Sequence, residues 1–318
     1  MPADLLNDVA LQNVLATLEI ERAKIAKAQT KGYVFIVLGI VFGIVGATVG
    51  FPVPALIIGV LTAIAGGVFL YCISNALANY KTSFKLDVIG YALKFLDESL
   101  TINPNSGVGE KEFINAQLFT NRPDRYSTED FVSGKADKTS FYFAEVHAEY
   151  KTETTTKNGT QTQWHEIFRG ILFTADFNKN FNGLTVVRPR GFGSSMSAWF
   201  SKNVFSIDSK NLIKLENIEF EKTFVTYGAD QVEARYILTP SMMEKILKLN
   251  AQSRDTISLS FIYTKMYIAF PIDRNCFEAP IFKTLLNPNL LNEDVATIKF
   301  MYDVVREMDL NTRIWNKS

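Results

Sequence analysis

The sequence is poor in the residues that build catalytic and metal sites, with two cysteines and two histidines among 318 residues. A structural zinc site usually draws Cys or His ligands from at least three positions, so none is expected here. Cys72 lies inside a long apolar run and Cys276 far along the chain. No disulfide framework is therefore predicted, which is typical of a protein domain in a reducing cytosol.

The chain also lacks any excess of charge of one sign, since 33 basic residues balance 33 acidic ones. Proteins that bind nucleic acid normally carry a clear basic excess, which attracts the phosphate backbone. We therefore predict no nucleic-acid partner.

No Asp, Glu, Lys, Arg or His occurs in the stretch Gly32–Tyr80. A bilayer core requires roughly 20 apolar residues for each helix that crosses it, so this stretch can hold two spans. We predict a transmembrane helical hairpin over residues 32–80, with spans at about 33–51 and 55–78. Pro52 and Pro54 restrict the backbone between the spans and place the turn there.

Lysines flank the apolar stretch at both ends, and the turn between the spans has no charge. Lys24, Lys27 and Lys31 precede the first span, and Lys81 and Lys85 follow the second. Cytoplasmic flanks of membrane helices are enriched in Lys and Arg. The pattern predicts a two-span protein of the cell inner membrane with both termini in the cytoplasm.

Residues 1–31 have the pattern of an amphipathic juxtamembrane helix. Leu11, Leu18 and Ile25 recur at heptad spacing, although Arg22 interrupts the seam. The apolar face could mediate self-association, or it could pack on the protein's own soluble domain. The second interpretation is favoured, because three or four uninterrupted heptads are the usual minimum for a coiled coil.

Residues 81–318 mix helical and strand patterns without a βαβ repeat, which predicts an α+β cytosolic domain with antiparallel strands. Residues 82–100 read as a helix that continues from the second span. Asn158-Gly159 is a strong hairpin signal. With those two residues as the turn, Val146 lies opposite Ile171, and Arg169 faces Ala148 as the one misfit.

Glu145, His147 and Glu149 share the polar face of the first hairpin strand, and they are the best candidates for a metal cluster. In the register above, His165 falls about five residues further along, roughly 16 Å away at the rise of a strand. A solvated polar face is the favoured interpretation. We predict no metal site, no cofactor and no catalytic residues, and an enzymatic role is less expected than a binding role.

Arg188, Arg190 and Lys202 flank a Gly/Ser-rich stretch, residues 191–195. The stretch matches neither the dinucleotide-binding nor the P-loop pattern. An ordinary loop is the favoured interpretation, with contact between these three cations and anionic lipid headgroups as the alternative.

Several stretches resemble those of a known family. They are Ser127–Asp130, Phe168–Lys179, Phe220–Phe224, Asp230–Pro240 and Leu310–Trp315. The chain resembles an uncharacterised bacterial family of two-span membrane proteins, sometimes labelled galanin-like. The resemblance implies an N-terminal membrane hairpin followed by a soluble domain, and it implies no activity and no site residues.

Together these features predict a membrane-anchored cytosolic interaction or scaffold module. Its expected partners are the lipid bilayer and either another protein or a second copy of the chain. The alternative is a lipid- or small-ligand-handling domain, with or without enzymatic activity, that is tethered to the membrane.

Overall fold

The computed structural model describes residues 5, 7–50, 52–156, 159–177, 180–190, 212–287, 289–308 and 310. The chain divides into two compact units. The first comprises Met1–Phe95 with Phe277–Ala296, and the second comprises Leu96–Cys276 with Thr297–Ser318.

Two long helices form the first unit, α1 (Val9–Thr48) and α2 (Pro52–Ser83). Asp8 caps α1, since its carboxylate accepts from the backbone N–H of Ala10 at 2.8 Å. Both helices are long and apolar enough to cross a membrane. The predicted continuation after the second apolar segment is confirmed, because a π-helical segment (Phe84–Ile89) leads directly into α3 (Gly90–Leu96).

Glycines allow α1 and α2 to approach until their backbones touch. A Cβ atom on Gly39 would lie 2.5 Å from the carbonyl oxygen of Gly59, and one on Gly66 would lie 2.7 Å from that of Gly32. Side chains at these positions would force the helices apart. Small residues at helix contacts are the usual solution in lipid, where no hydrophobic effect draws helices together.

The predicted apolar face of α1 is buried inside the chain. Leu11, Leu15, Leu18 and Ile25 are between 0% and 7% exposed. This burial favours intramolecular packing over self-association, because the side chains that a second copy would contact are already covered.

The segment 277–287 belongs to the first unit and contacts the end of α2 and the π-helical segment that follows it. The Glu278 carboxylate forms ion pairs with Lys85 at 3.2 Å and with Lys81 at 3.5 Å. The hydroxyl of Tyr80 donates to the carbonyl of Pro280 at 2.7 Å. These contacts connect a late part of the sequence to the end of α2.

The second unit is built on a nine-stranded antiparallel sheet, which confirms the α+β class. Its strand order is β1-β2-β3-β4-β9-β8-β5-β7-β6. The strands are β1 (Thr101–Asn103), β2 (Arg125–Ala136), β3 (Thr139–Thr156), β4 (Gly159–Asp176), β5 (Thr185–Pro189), β6 (Leu212–Ile213), β7 (Phe224–Gly228), β8 (Ser258–Ile262) and β9 (Lys265–Pro271).

Short helices accompany the sheet. They are α4 (Glu110–Asn115), α5 (Ile218–Thr223), α6 (Gln231–Ile237), α7 (Pro240–Gln252) and α8 (Asn292–Glu307). Thr239 caps α7, since its hydroxyl accepts from the backbone N–H of Met242 at 3.2 Å.

The two faces of β2, β3 and β4 are covered differently. On one face, Val146 and Phe168 belong to a core cluster that includes Phe113 of α4. On the other, α8 covers one end, where Tyr302 packs edge-on against Phe141 at 6.1 Å between ring centroids. The rest of that second face carries polar side chains, and the candidate site lies there.

The predicted register of the β3–β4 hairpin is wrong. Val146 pairs with Gly170 instead of Ile171, and Arg169 pairs with His147. The hairpin closes at the pair Thr156–Gly159, earlier than the turn signal indicated, and a bulge at Ile167 adds a residue to β4. The correction removes the misfit, since it moves Arg169 onto the polar face.

A hydrogen-bonded network fastens α4 to the sheet. Glu112 accepts from Lys265 Nζ at 2.9 Å, from the Tyr267 hydroxyl at 3.3 Å and from the Tyr142 hydroxyl. Burial is the largest influence on the pKa of Glu112 and acts to raise it. The hydrogen bonds from Tyr142, Lys265 and Tyr267, together with the charge of Lys265, outweigh burial, so the pKa is lowered from its ordinary value of 4.5.

We expect Glu112→Gln to destabilise the protein at neutral pH by about 2 kcal/mol, the scale of hydrogen bonds to a charged group. A carboxyl whose pKa is lowered by folding stabilises the fold above its unfolded pKa and loses that contribution as the pH falls. The difference in melting temperature between wild type and Glu112→Gln should therefore shrink as the pH drops below 4.5. A difference independent of pH would contradict this assignment.

Candidate functional site

A cleft of about 460 Å³ opens on the polar face of β2, β3 and β4. Ser127, His147 and Arg169 lie side by side on the three strands, and Glu129 and Glu145 form the next row. These cross-strand neighbours form the floor, because alternate residues of paired strands point to one face. The volume falls within the range of about 300–1,000 Å³ that is typical of small-molecule sites.

The wall of the cleft is the segment that follows β9. The backbone N–H of Ile272 donates to the carbonyl of Arg169 at 3.0 Å, which continues the sheet by one bond. The Asn275 side-chain oxygen then accepts from the Arg169 guanidinium at 2.8 Å. The backbone N–H of Cys276 donates to the Glu145 carboxylate. These bonds hold the segment over the strands.

The cleft holds charges of both signs. Arg169 and Arg274 supply guanidinium groups, Glu129 and Glu145 supply carboxylates, and Asn275 adds an amide. Glu145 is stabilised as an anion by the backbone donor described above. The site therefore offers both donors and acceptors to a ligand.

Unusual backbone conformations lie on both sides of the cleft. Gly170 has φ +149°, and a Cβ atom there would lie 2.1 Å from the carbonyl oxygen of Phe270. On the opposite side, β2 bulges between Glu129 and Val132, where Asp130 has φ +58°. Bulges and left-handed non-glycine residues concentrate near functional sites, where they redirect side chains.

The three residues considered as a metal cluster have separate partners. Glu145 accepts from Cys276, and Glu149 pairs with Arg125 at 3.0 Å. His147 Nε2 lies 3.5 Å from a carboxylate oxygen of Glu166 on the neighbouring strand.

Beyond the cleft, β3 and β4 continue as a two-stranded arm, which we define as residues 151–155 and 159–164. All of these residues are exposed. In the part of the chain that the structure describes, neither strand of the arm pairs with a third strand. At its base, the guanidinium of Arg125 stacks on Trp164 at 4.0 Å from the ring centroid.

The three cations considered for lipid contact have different surroundings. Arg188 on β5 is 8% exposed and donates to the carbonyl of Gln117 at 3.0 Å, and burial lowers the pKa of its guanidinium. Arg190 pairs with Glu221 at 3.1 Å. Lys202 lies outside the described residues. Arg188 is thus largely buried, and contact of these cations with lipid headgroups stays a prediction.

Residues 166–310 match a family described as "Protein of unknown function (DUF3137)". The match begins in β4 and runs through α8, so it includes Arg169 and Arg274 of the cleft but not the strands β2 and β3. It is consistent with an uncharacterised family, as the resemblance above implied.

Among solved structures, the chain has a likeness to the crystal structure of the mycobacterial trehalose monomycolate transport factor A. The two are 10% identical, with a TM-score of 0.36, over 68% of this chain and 91% of the other. A likeness at that score carries no argument about fold or function. No curated protein matches the sequence.

Sequence reasoning missed the cleft. Glu145 and His147 were correctly placed on a polar strand face, but their neighbour Arg169 was assigned to the opposite face by the wrong register. Arg274 and Asn275 had no signal, because only the folded chain brings them over β3 and β4.

Proposed function

We propose that the chain is a membrane-anchored binding module of the bacterial inner membrane, whose sheet domain engages a protein partner through its arm. The observation that carries the proposal is the arm itself. A two-stranded hairpin with no buried face is marginally stable at best, so burial of its own side chains does not explain why it projects.

The composition at the base of the arm supports a protein partner. Trp164 remains 40% exposed although Arg125 stacks on it. Trp, Tyr and Arg are the residues that most often dominate binding energy at interfaces. Among the described residues, 152–155 and 160–164 pair with no third strand, so an extended segment of a partner can add to them by backbone hydrogen bonds.

The anchor sets which part of the chain lies near the bilayer. Gly32 packs against Leu70, so Lys31 on α1 lies at nearly the same level as Tyr71 on α2. The part of α1 that precedes Lys31 carries charged residues. We therefore place the hydrocarbon core at about residues 30–49 of α1 and 52–71 of α2. The uncharged residues 72–80 then extend into the cytoplasm beside the charged half of α1.

The test is site-specific photo-crosslinking of the full chain in its native membrane. A photoreactive amino acid at Thr154 in the arm should give a discrete protein adduct, and Trp164→Ala should abolish it. The matched control is the same probe at Val232, which is 78% exposed on α6. An identical adduct at Val232, or an adduct unaffected by Trp164→Ala, would contradict the proposal.

A further inference from the structure

The cleft contains one guanidinium, that of Arg169, that has no acidic partner among the residues that the structure describes. Among the described residues, Arg169 makes one side-chain hydrogen bond, to the neutral amide oxygen of Asn275 at 2.8 Å, and no ion pair. A guanidinium has five N–H donors arranged in a planar fork that matches carboxylate and phosphate oxygens. Most of the N–H donors of the Arg169 guanidinium are thus available to solvent or to a ligand.

A second guanidinium lines the same cleft. Arg274 lines the cleft next to Asn275, and it donates to the Thr297 hydroxyl at 3.4 Å. Arg274 is on the wall and Arg169 is on the floor. A ligand between them would meet a cation from each side.

The carboxylates of the cleft limit what such a ligand can be. Glu129 and Glu145 line the same space, so a ligand with several negative charges would be repelled. A ligand with one oxyanion, and with hydroxyl or ammonium donors on the rest of its body, satisfies both kinds of lining. The volume of about 460 Å³ suits a small molecule or a headgroup.

We propose that this cleft binds a small polar ligand through one carboxylate or phosphate group, with Arg169 as the main contact of that oxyanion. The ligand is either a soluble compound or the polar headgroup of a phospholipid. This site goes beyond the partner-binding proposal and does not depend on it, because the arm and the cleft have different residues and different tests.

The structure explains why Arg169 occupies this position. The bulge at Ile167 sets the side-chain alternation of β4, so that Arg169 shares a face with His147. Because Gly170 lies so close to β9, the segment after Pro271 can turn directly over β3 and β4. The wall and the floor are therefore products of the same local backbone geometry.

The experiment measures ligand binding to the full chain in phosphatidylcholine nanodiscs by calorimetric titration and thermal shift. The probes are inorganic phosphate, glycerol 3-phosphate, phosphoethanolamine and serine. Wild type should bind at least one of them saturably, and Arg169→Gln should weaken that binding by about tenfold or more. The control Arg254→Gln removes another surface arginine, which pairs with Asp273 at 3.0 Å, and should leave binding unchanged.

A parallel arm replaces part of the phosphatidylcholine with phosphatidylglycerol or phosphatidylethanolamine and adds no soluble probe. A rise in melting temperature in wild type but not in Arg169→Gln would identify the headgroup as the source of the oxyanion. The unliganded melting temperature of Arg169→Gln serves as the folding control. Equal binding by wild type and a folded Arg169→Gln, or no binding in either arm, would overturn the proposal.

Discussion

Replacing Gly170 by alanine is expected to destabilise the sheet domain by more than about 3 kcal/mol, a cost at which folding yield also falls. The added Cβ would lie 2.1 Å from the carbonyl oxygen of Phe270 and 2.7 Å from the backbone N of Ile272. Both are backbone atoms of a paired strand, so neither can turn aside as a flexible side chain would. The positive φ adds strain of its own.

The control is Gly159→Ala, which separates these two contributions. Gly159 also has a positive φ, +123°, but no atom lies within 4 Å of its Cβ position. We expect a cost of about 1 kcal/mol there, from backbone strain alone. Thermal unfolding of the full chain in detergent measures both variants. Similar melting temperatures for the two would show that β4 and β9 do not approach this closely.

Replacing Gly39 by leucine is expected to separate the two long helices. A Cβ atom at Gly39 would lie 2.5 Å from the backbone oxygen of Gly59 and 2.7 Å from the backbone N of Ala63. A leucine is far larger than a single Cβ, so we expect a loss of at least about 2–3 kcal/mol. The measurement is the stability of the hairpin in nanodiscs, together with the yield of monodisperse protein.

The matched control lies one helical turn away. A Cβ atom at Gly43 would have no heavy atom within 4 Å, so Gly43→Leu should change stability by no more than about 0.5 kcal/mol. Equal losses for Gly39→Leu and Gly43→Leu would indicate that the hairpin does not use this contact.

The sequence predicted the two long apolar helices well, because a segment that can cross a bilayer follows a simple chemical rule. A helix in hydrocarbon must be apolar over its whole length, so the boundaries follow from charge alone. The end of the second span is harder to read from charge. Charge is absent as far as Tyr80, but Gly32 packs against Leu70, and only the paired helices show where α2 lies level with Lys31.

The sequence predicted an antiparallel sheet, but it did not predict the register of the strands. Alternation identified the polar face of β3, but a slip of one residue moves every side chain to the other face. The bulge at Ile167 has no local signature, so Arg169 was misplaced. The burial of Arg188 was not predictable for a related reason. All described residues from Thr185 to Arg188 are buried, so no alternation distinguishes the two faces of this strand.

Long-range contacts had no signal at all. The segment 277–287 joins Tyr80 and Lys85 across about two hundred residues, and Asn275 meets Arg169 across about one hundred. Such contacts depend on the complete topology, which composition and periodicity do not encode. The cleft wall and the contacts of segment 277–287 with the end of α2 both depend on such long-range contacts.

The central claim is that the helical hairpin spans the membrane and leaves the sheet domain on the same side as both termini. Cysteine labelling tests it directly, in a Cys72→Ser background in which the remaining Cys276 is buried. The two reporter variants are Val49→Cys beside the turn and Tyr263→Cys in the sheet domain, each at a side chain that is 68% exposed.

An impermeant maleimide applied to intact spheroplasts should label Val49→Cys and should label Tyr263→Cys only after lysis. Labelling of Tyr263→Cys in intact spheroplasts, with protection of Val49→Cys, would contradict the account.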